Sequence, residues 1–183
     1  MVDYLLLAEQ RAKNKNEVEN DLDFTNFLGA CFVKCSSQSY GPKIEKRIIN
    51  DFGFGKITQK NGEGDFKAIE KTKFPFYEFK LGERCELKIS FLSSNKSWNL
   101  IQLRPYESFE YYVFLLINPL NKCAQEWFVI KKEDINENNF KLNATHGTKK
   151  SNKLNKNIEY KLTVDEKGNV LNKLRELNKV KNV

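Results

Sequence analysis

Between residues 24 and 35, apolar side chains recur mostly three or four positions apart, as Phe24, Phe27, Leu28, Cys31, Phe32 and Cys35, which predicts a helix with one buried face. Residues 36–41 break the pattern, and Pro42, expected at the first helical position, opens a second helix with Ile44, Ile48, Ile49 and Phe52 on one side and Glu45 off that stripe. From Asp65 the period falls to two. Phe66 and Ala68, then Phe76, Tyr77 and Phe79, read as adjacent strands about a turn-like stretch at residues 71–75. Cys85, Leu87, Ile89 and Phe91 alternate with Glu86, Lys88 and Ser90, so this strand has one apolar and one polar face. Tyr111 to Ile117 is a nearly unbroken apolar run, expected as a central strand covered on both sides, and a turn over Asn118 to Lys122 leads to a further strand around Trp127 to Ile130. Ile158, Tyr160, Leu162 and Val164 alternate as a late strand, and Leu171, Leu174 and Leu177 follow at helical spacing.

Helices, a cluster of strands, then strand and helix predict an α/β (α+β) single domain, a central mixed β-sheet flanked by helices. A helical part over about residues 1–55, a sheet over about 65–164 and a C-terminal helix over about 168–181 make up that domain, with no repeat or linker dividing it. The 183 residues suffice for a core without disulfides or a structural metal. Cys31, Cys35, Cys85 and Cys123 contain no CxxC pair and are expected as buried thiols in a reducing compartment. The apolar patch Tyr4 to Ala8 is too short for a signal sequence or a membrane span, so a cytoplasmic protein with no membrane association is expected.

Charge narrows the choice of partner. With 31 Lys and Arg against 24 Asp and Glu, the net +7 favours a polyanion. The chemistry narrows by exclusion. His146 is the single histidine, which disfavours nuclease sites built on paired histidines, and Thr148 stands two residues later where an H-x-K nucleophile needs lysine. Neither a Walker A loop nor GxGxxG is present. Carboxylates and lysines remain.

Phosphodiester hydrolysis with Mg²⁺ needs hard oxygen ligands, a positioned water and a cation near the charge that builds on phosphate. Glu86 and Lys88, two apart on a strand, share one face, and Asp65 at the start of an earlier strand could approach the same metal. Spacing alone does not choose among candidates, because Glu78-Phe79-Lys80 is also E-x-K and Asp65-Phe66-Lys67 is D-x-K, and each pattern also fits a salt-bridged surface strand.

Gly64-Asp65, then Cys85-Glu86-Leu87-Lys88-Ile89-Ser90, then residues 99–106 running into Tyr111 to Leu116, resemble the PD-(D/E)XK nuclease superfamily, and among its members type II restriction endonucleases. The stretch Ser39 to Glu45 and the segment Thr145 to Lys150 add to the resemblance, which spans most of residues 36–164. Gly64 stands where the family's proline precedes the first acid. The resemblance implies a restriction-endonuclease-like fold, Mg²⁺ held by Asp65 and Glu86 with the Leu87 carbonyl, and Lys88 orienting the attacking water. It favours Glu86/Lys88 over Glu78/Lys80 because that strand continues through Ile89-Ser90-Phe91 towards Gln102-Leu103-Arg104. Glu45, by analogy, is a helical carboxylate that could reach the site, and Glu78 stays a rival ligand.

No acidic residue occurs between Asn138 and Ile158, where lysines accumulate. Lys149, Lys150 and Lys153 are expected to track DNA phosphates, with Asn143, Thr145, His146 and Thr148 available to base edges. Lys96, Asn99, Gln102 and Arg104 form a second polar cluster that is expected to bind DNA. Cutting both strands of a duplex with one site per chain implies a homodimer. The alternatives are a repair or structure-specific nuclease of the same fold, or a non-catalytic basic nucleic-acid-binding module.

Overall fold

The computed structural model describes residues 18, 22–57, 62–69, 72–74, 77–145 and 158–178. Helix α1 (Phe24–Lys34) starts where the Asp23 carboxylate accepts the Asn26 N–H, and it buries Phe27, Leu28, Cys31 and Phe32. Helix α2 (Tyr40–Phe52) buries Ile44, Ile48 and Ile49, the expected stripe. It begins two residues before Pro42, which makes proline the third helical residue rather than the first. The shift is harmless because every N–H of the first turn lacks an intrahelical partner.

A mixed five-stranded sheet runs in the order β1 (Gly55–Lys56), β2 (Phe66–Lys67), β5 (Arg84–Phe91), β7 (Tyr111–Asn118), β8 (Ala124–Lys131). Strands β5 and β7 are parallel, and the other neighbours are antiparallel. Parallel neighbours need a crossover, and here it contains a strand, β6 (Ser97–Leu103), where such units usually carry a helix. Strand β6 leaves the main sheet and pairs antiparallel with β10 (Tyr160–Asp165), which also pairs with β9 (Asn143–Ala144). Residues 97–103 drew no strand expectation, and their irregular alternation explains why. A separate hairpin pairs β3 (Thr72–Phe74) with β4 (Tyr77–Phe79), so residues 72–74, inside the stretch expected as a turn, are strand.

The chain is therefore layered. Helices α1 and α2 pack on one face of the main sheet against Cys85, Leu87, Val113, Leu115 and Val129. The β6–β10–β9 sheet and helix α3 (Asn169–Leu177) cover the other, against Tyr112, Phe114, Leu116, Phe128 and Ile130. Strand β7, sandwiched by both, buries Tyr112 to Ile117 without a gap, as its apolar run requires. The edge strand β8 is blunted by Asn178, whose side chain accepts the Val129 N–H and donates to the Trp127 carbonyl. All four cysteines are free and buried, and burial together with the neighbouring Cys35 pushes the Cys31 thiol up to about 12. Among the described residues no helix is long and apolar enough to cross a membrane.

Candidate active site

Strand β2 pairs with β5 only at Phe66↔Cys85 and Lys67↔Arg84. Beyond Cys85 the β5 edge is left open among the described strands, and the chain before β2 bends across it. Gly64 makes this bend at φ +92°, so close to β5 that a Cβ there would stand 2.5 Å from the Cys85 carbonyl oxygen. Proline, fixed near φ −65°, cannot take this conformation, and glycine can.

The bend delivers Asp65 to the open edge. Its N–H donates to the Cys85 carbonyl at 2.8 Å, and its Oδ2 accepts the Leu87 N–H at 2.8 Å. The two polar groups of one strand residue point to the same edge, so the Leu87 carbonyl also faces the Asp65 side. Glu86 and Lys88 project from the β5 face opposite the helices, and Lys88 Nζ stands 2.6 Å from Glu86 Oε1. Asp65 and Glu86 are only 6% and 5% exposed.

These groups line one cleft of about 950 Å³, together with Glu45 from α2 and Asn99, Gln102 and Arg104 from the β6 side. Its electrostatics are those of crowded carboxylates. Burial pushes the Glu86 carboxyl up to about 7, the Lys88 ammonium opposes the rise, and Asp65 and Glu107 add to it. Burial also raises Glu45, with the Asp65 charge adding to the rise and Lys56 and Lys88 opposing it. Two buried carboxylates lining one cleft, with the Leu87 carbonyl on the Asp65 side, are hard-oxygen donors of the kind a small divalent cation takes. Among the described residues no cluster of three or more His, Cys, Asp and Glu side chains is disposed to hold a metal, so any ion here would depend on the backbone carbonyl and water for its remaining ligands.

The other sequence candidates divide. Glu78 is exposed on the β3–β4 hairpin and does not line the cleft, so among the E-x-K pairs it is Glu86 and Lys88 that the fold brings to Asp65. Lys96 sits in the turn before β6, outside the cleft. Asn143 is exposed on β9, and the Thr145 N–H donates to the Glu159 carbonyl. His146, Thr148, Lys149, Lys150 and Lys153 lie outside the described residues. Trp98 is a core residue whose Nε1–H donates to the Ile117 carbonyl at 2.9 Å.

Two partners escaped sequence reasoning. Glu159 accepts Arg104 Nε at 2.9 Å and Glu107 accepts Arg104 Nη1 at 3.4 Å, holding the guanidinium at the cleft wall. Glu159 is 55 residues from Arg104, so no local pattern announces the pair. The chain matches no protein-family model and no curated protein, so the reading of this site rests on its residues and geometry.

Proposed function

We propose that this protein is a type II restriction-like endonuclease that hydrolyses phosphodiester bonds of double-stranded DNA with Mg²⁺, leaving 5′-phosphate and 3′-hydroxyl ends. The observation that carries the reading is the meeting of Asp65 with the Glu86-Leu87-Lys88 stretch, through the bond from Leu87 N–H to Asp65, 22 residues apart in sequence. An acid at a strand's open edge, an acid and a lysine on that strand's face, and a cleft beside them suit in-line attack on phosphate.

Asp65, Glu86 and the Leu87 carbonyl would hold the cation, and their mutual repulsion favours its binding. When bound, Mg²⁺ polarises a phosphate oxygen and lowers the pKa of water. Lys88 would orient the attacking water and balance charge on the phosphate, while Glu45, which lines the same cleft, would hydrogen-bond a water there. Arg104, fixed by its two carboxylates, approaches the neighbouring backbone. Glu159 ties Arg104 to Thr145, and the lysines between Asn138 and Ile158 would supply the charge that follows DNA phosphates. Since one site cuts one strand, the active species is a homodimer.

Incubation with long duplex DNA tests the reading. Discrete fragments with Mg²⁺ and none with EDTA are expected. Nicking confined to junctions or mismatches would transfer the site to a structure-specific nuclease, and binding without any cutting would leave a non-catalytic basic module.

A further inference from the structure

The β6 strand carries an irregularity at the cleft. Leu162 faces Leu100 and Tyr160 faces Leu103, so Ile101 and Gln102 together oppose the single residue Lys161. Such a bulge lets Leu100 and Leu103, an odd number of positions apart, both reach the core. Its other consequence is that two consecutive side chains turn outwards. Ile101 is 53% exposed, unusual for isoleucine in a strand, and Gln102 is exposed at φ +53°, a region that glycine enters freely and other residues rarely. Both line the cleft that holds Asp65, Glu86 and Lys88.

Packing explains the bulge but not the choice of side chains in it. Glycine would relieve the backbone at 102, and a polar residue would suit the solvent at 101. An amide beside a bare aliphatic group has a defined complement in DNA. The carboxamide offers one donor and one acceptor, which match the N7 acceptor and N6 donor of adenine. An adjacent apolar surface matches the C5-methyl of the thymine paired with it, and both features lie in the major groove.

We infer that Ile101 and Gln102 read an A·T base pair in the major groove, Gln102 bonding the adenine edge and Ile101 packing on the thymine methyl. The inference rests on the nuclease reading and makes the β6 bulge a determinant of its sequence preference.

Long DNA synthesised with deoxyuridine throughout in place of thymidine lacks the methyl, and DNA synthesised with 7-deazaadenine lacks the N7 acceptor, so neither substrate requires the recognition sequence to be known. Wild-type protein with Mg²⁺ is expected to cut each about tenfold more slowly than ordinary DNA. Ile101→Ala should lose the sensitivity to uracil and keep that to 7-deazaadenine. Gln102→Gly should do the reverse while melting at or above the wild-type temperature, which separates base reading from a structural role. Wild-type cutting of both modified DNAs at the ordinary rate, or variants that keep both sensitivities, overturns the inference. Failure to cut ordinary DNA at all instead overturns the nuclease reading and this inference with it.

Discussion

Strands β5 and β7 lie side by side, parallel and in register, and yet they are built from opposite materials. Glu86, Lys88 and Ser90 of β5 neighbour Tyr112, Phe114 and Leu116 of β7 on the same face of the sheet. On β7 that face is sealed by the β6–β10 layer, so an ionised group there would lose its hydration with nothing in return. On β5 the face opens into the cleft, and a lysine and an acid are accommodated though still largely buried. An ion pair in such a place contributes little net stability, because desolvation offsets the Coulombic gain. Its presence marks β5 as the strand where the fold gives up packing to position charge.

The largest expected effect tests that assignment directly. Lys88→Ala should lower DNA cleavage about 10³-fold or more while circular dichroism keeps the native spectrum, as expected for removal of a group acting on the developing charge. Near-normal cleavage by this variant would remove Lys88 from the chemistry. Phe114→Ala, at the same sheet level one strand away, should behave in the opposite way. It truncates a fully buried ring and should cost about 3–5 kcal/mol in urea unfolding, with activity per folded molecule retained. If Phe114→Ala instead lost activity per folded molecule as Lys88→Ala does, the division of labour between the strands would be wrong.

How much of this was legible beforehand follows from what each signal reports. The apolar stripes of α1 and α2 and the run in β7 report burial, and burial is local enough to read from spacing. The β5 alternation likewise placed Glu86 and Lys88 on one face. What spacing could not decide was whether Glu78 or Asp65 meets them, because that depends on Gly64 folding the chain back against Cys85. Strand β6 was hidden for a related reason: its bulge shifts the period, so Trp98, Leu100 and Leu103 fit neither template. The Glu159 half of the clamp on Arg104 depends on the pairing of β6 with β10, a contact with no local trace.

Titration sharpens the comparison next. Without metal, Glu86 keeps its proton up to about pH 7, whereas in the unfolded chain it releases it near 4.5. Between these values the folded state holds more protons, so stability is full below about pH 4.5 and falls as pH rises through 7. In EDTA the Glu86 contribution should amount to about 1–3 kcal/mol, read as the difference between wild type and Glu86→Gln in urea melts from pH 4 to 8. Glu45, also raised, adds a slope of the same sign that the variant keeps. Mg²⁺ should restore wild-type stability mainly at the alkaline end, where the carboxylate is ionised, and should leave Glu86→Gln almost unchanged. A flat difference across this range would mean that Glu86 is not held as a buried acid.

Ser90 supplies the smallest and most discriminating effect. It completes the polar face of β5, but its role differs from that of Glu86 and Lys88, since its Oγ accepts the Asn99 N–H at 2.9 Å and so ties β5 to the start of β6. Ser90→Ala leaves that N–H without its partner at a part-buried position, which should cost about 1 kcal/mol in the urea midpoint. Because Asn99 and Gln102 ride on β6, the displaced strand should weaken DNA binding slightly, raising KM about two- to threefold with kcat held within a factor of two. A loss of kcat like that of Lys88→Ala would instead place the hydroxyl beside the reacting phosphate, and the polar face of β5 would then be catalytic along its whole length.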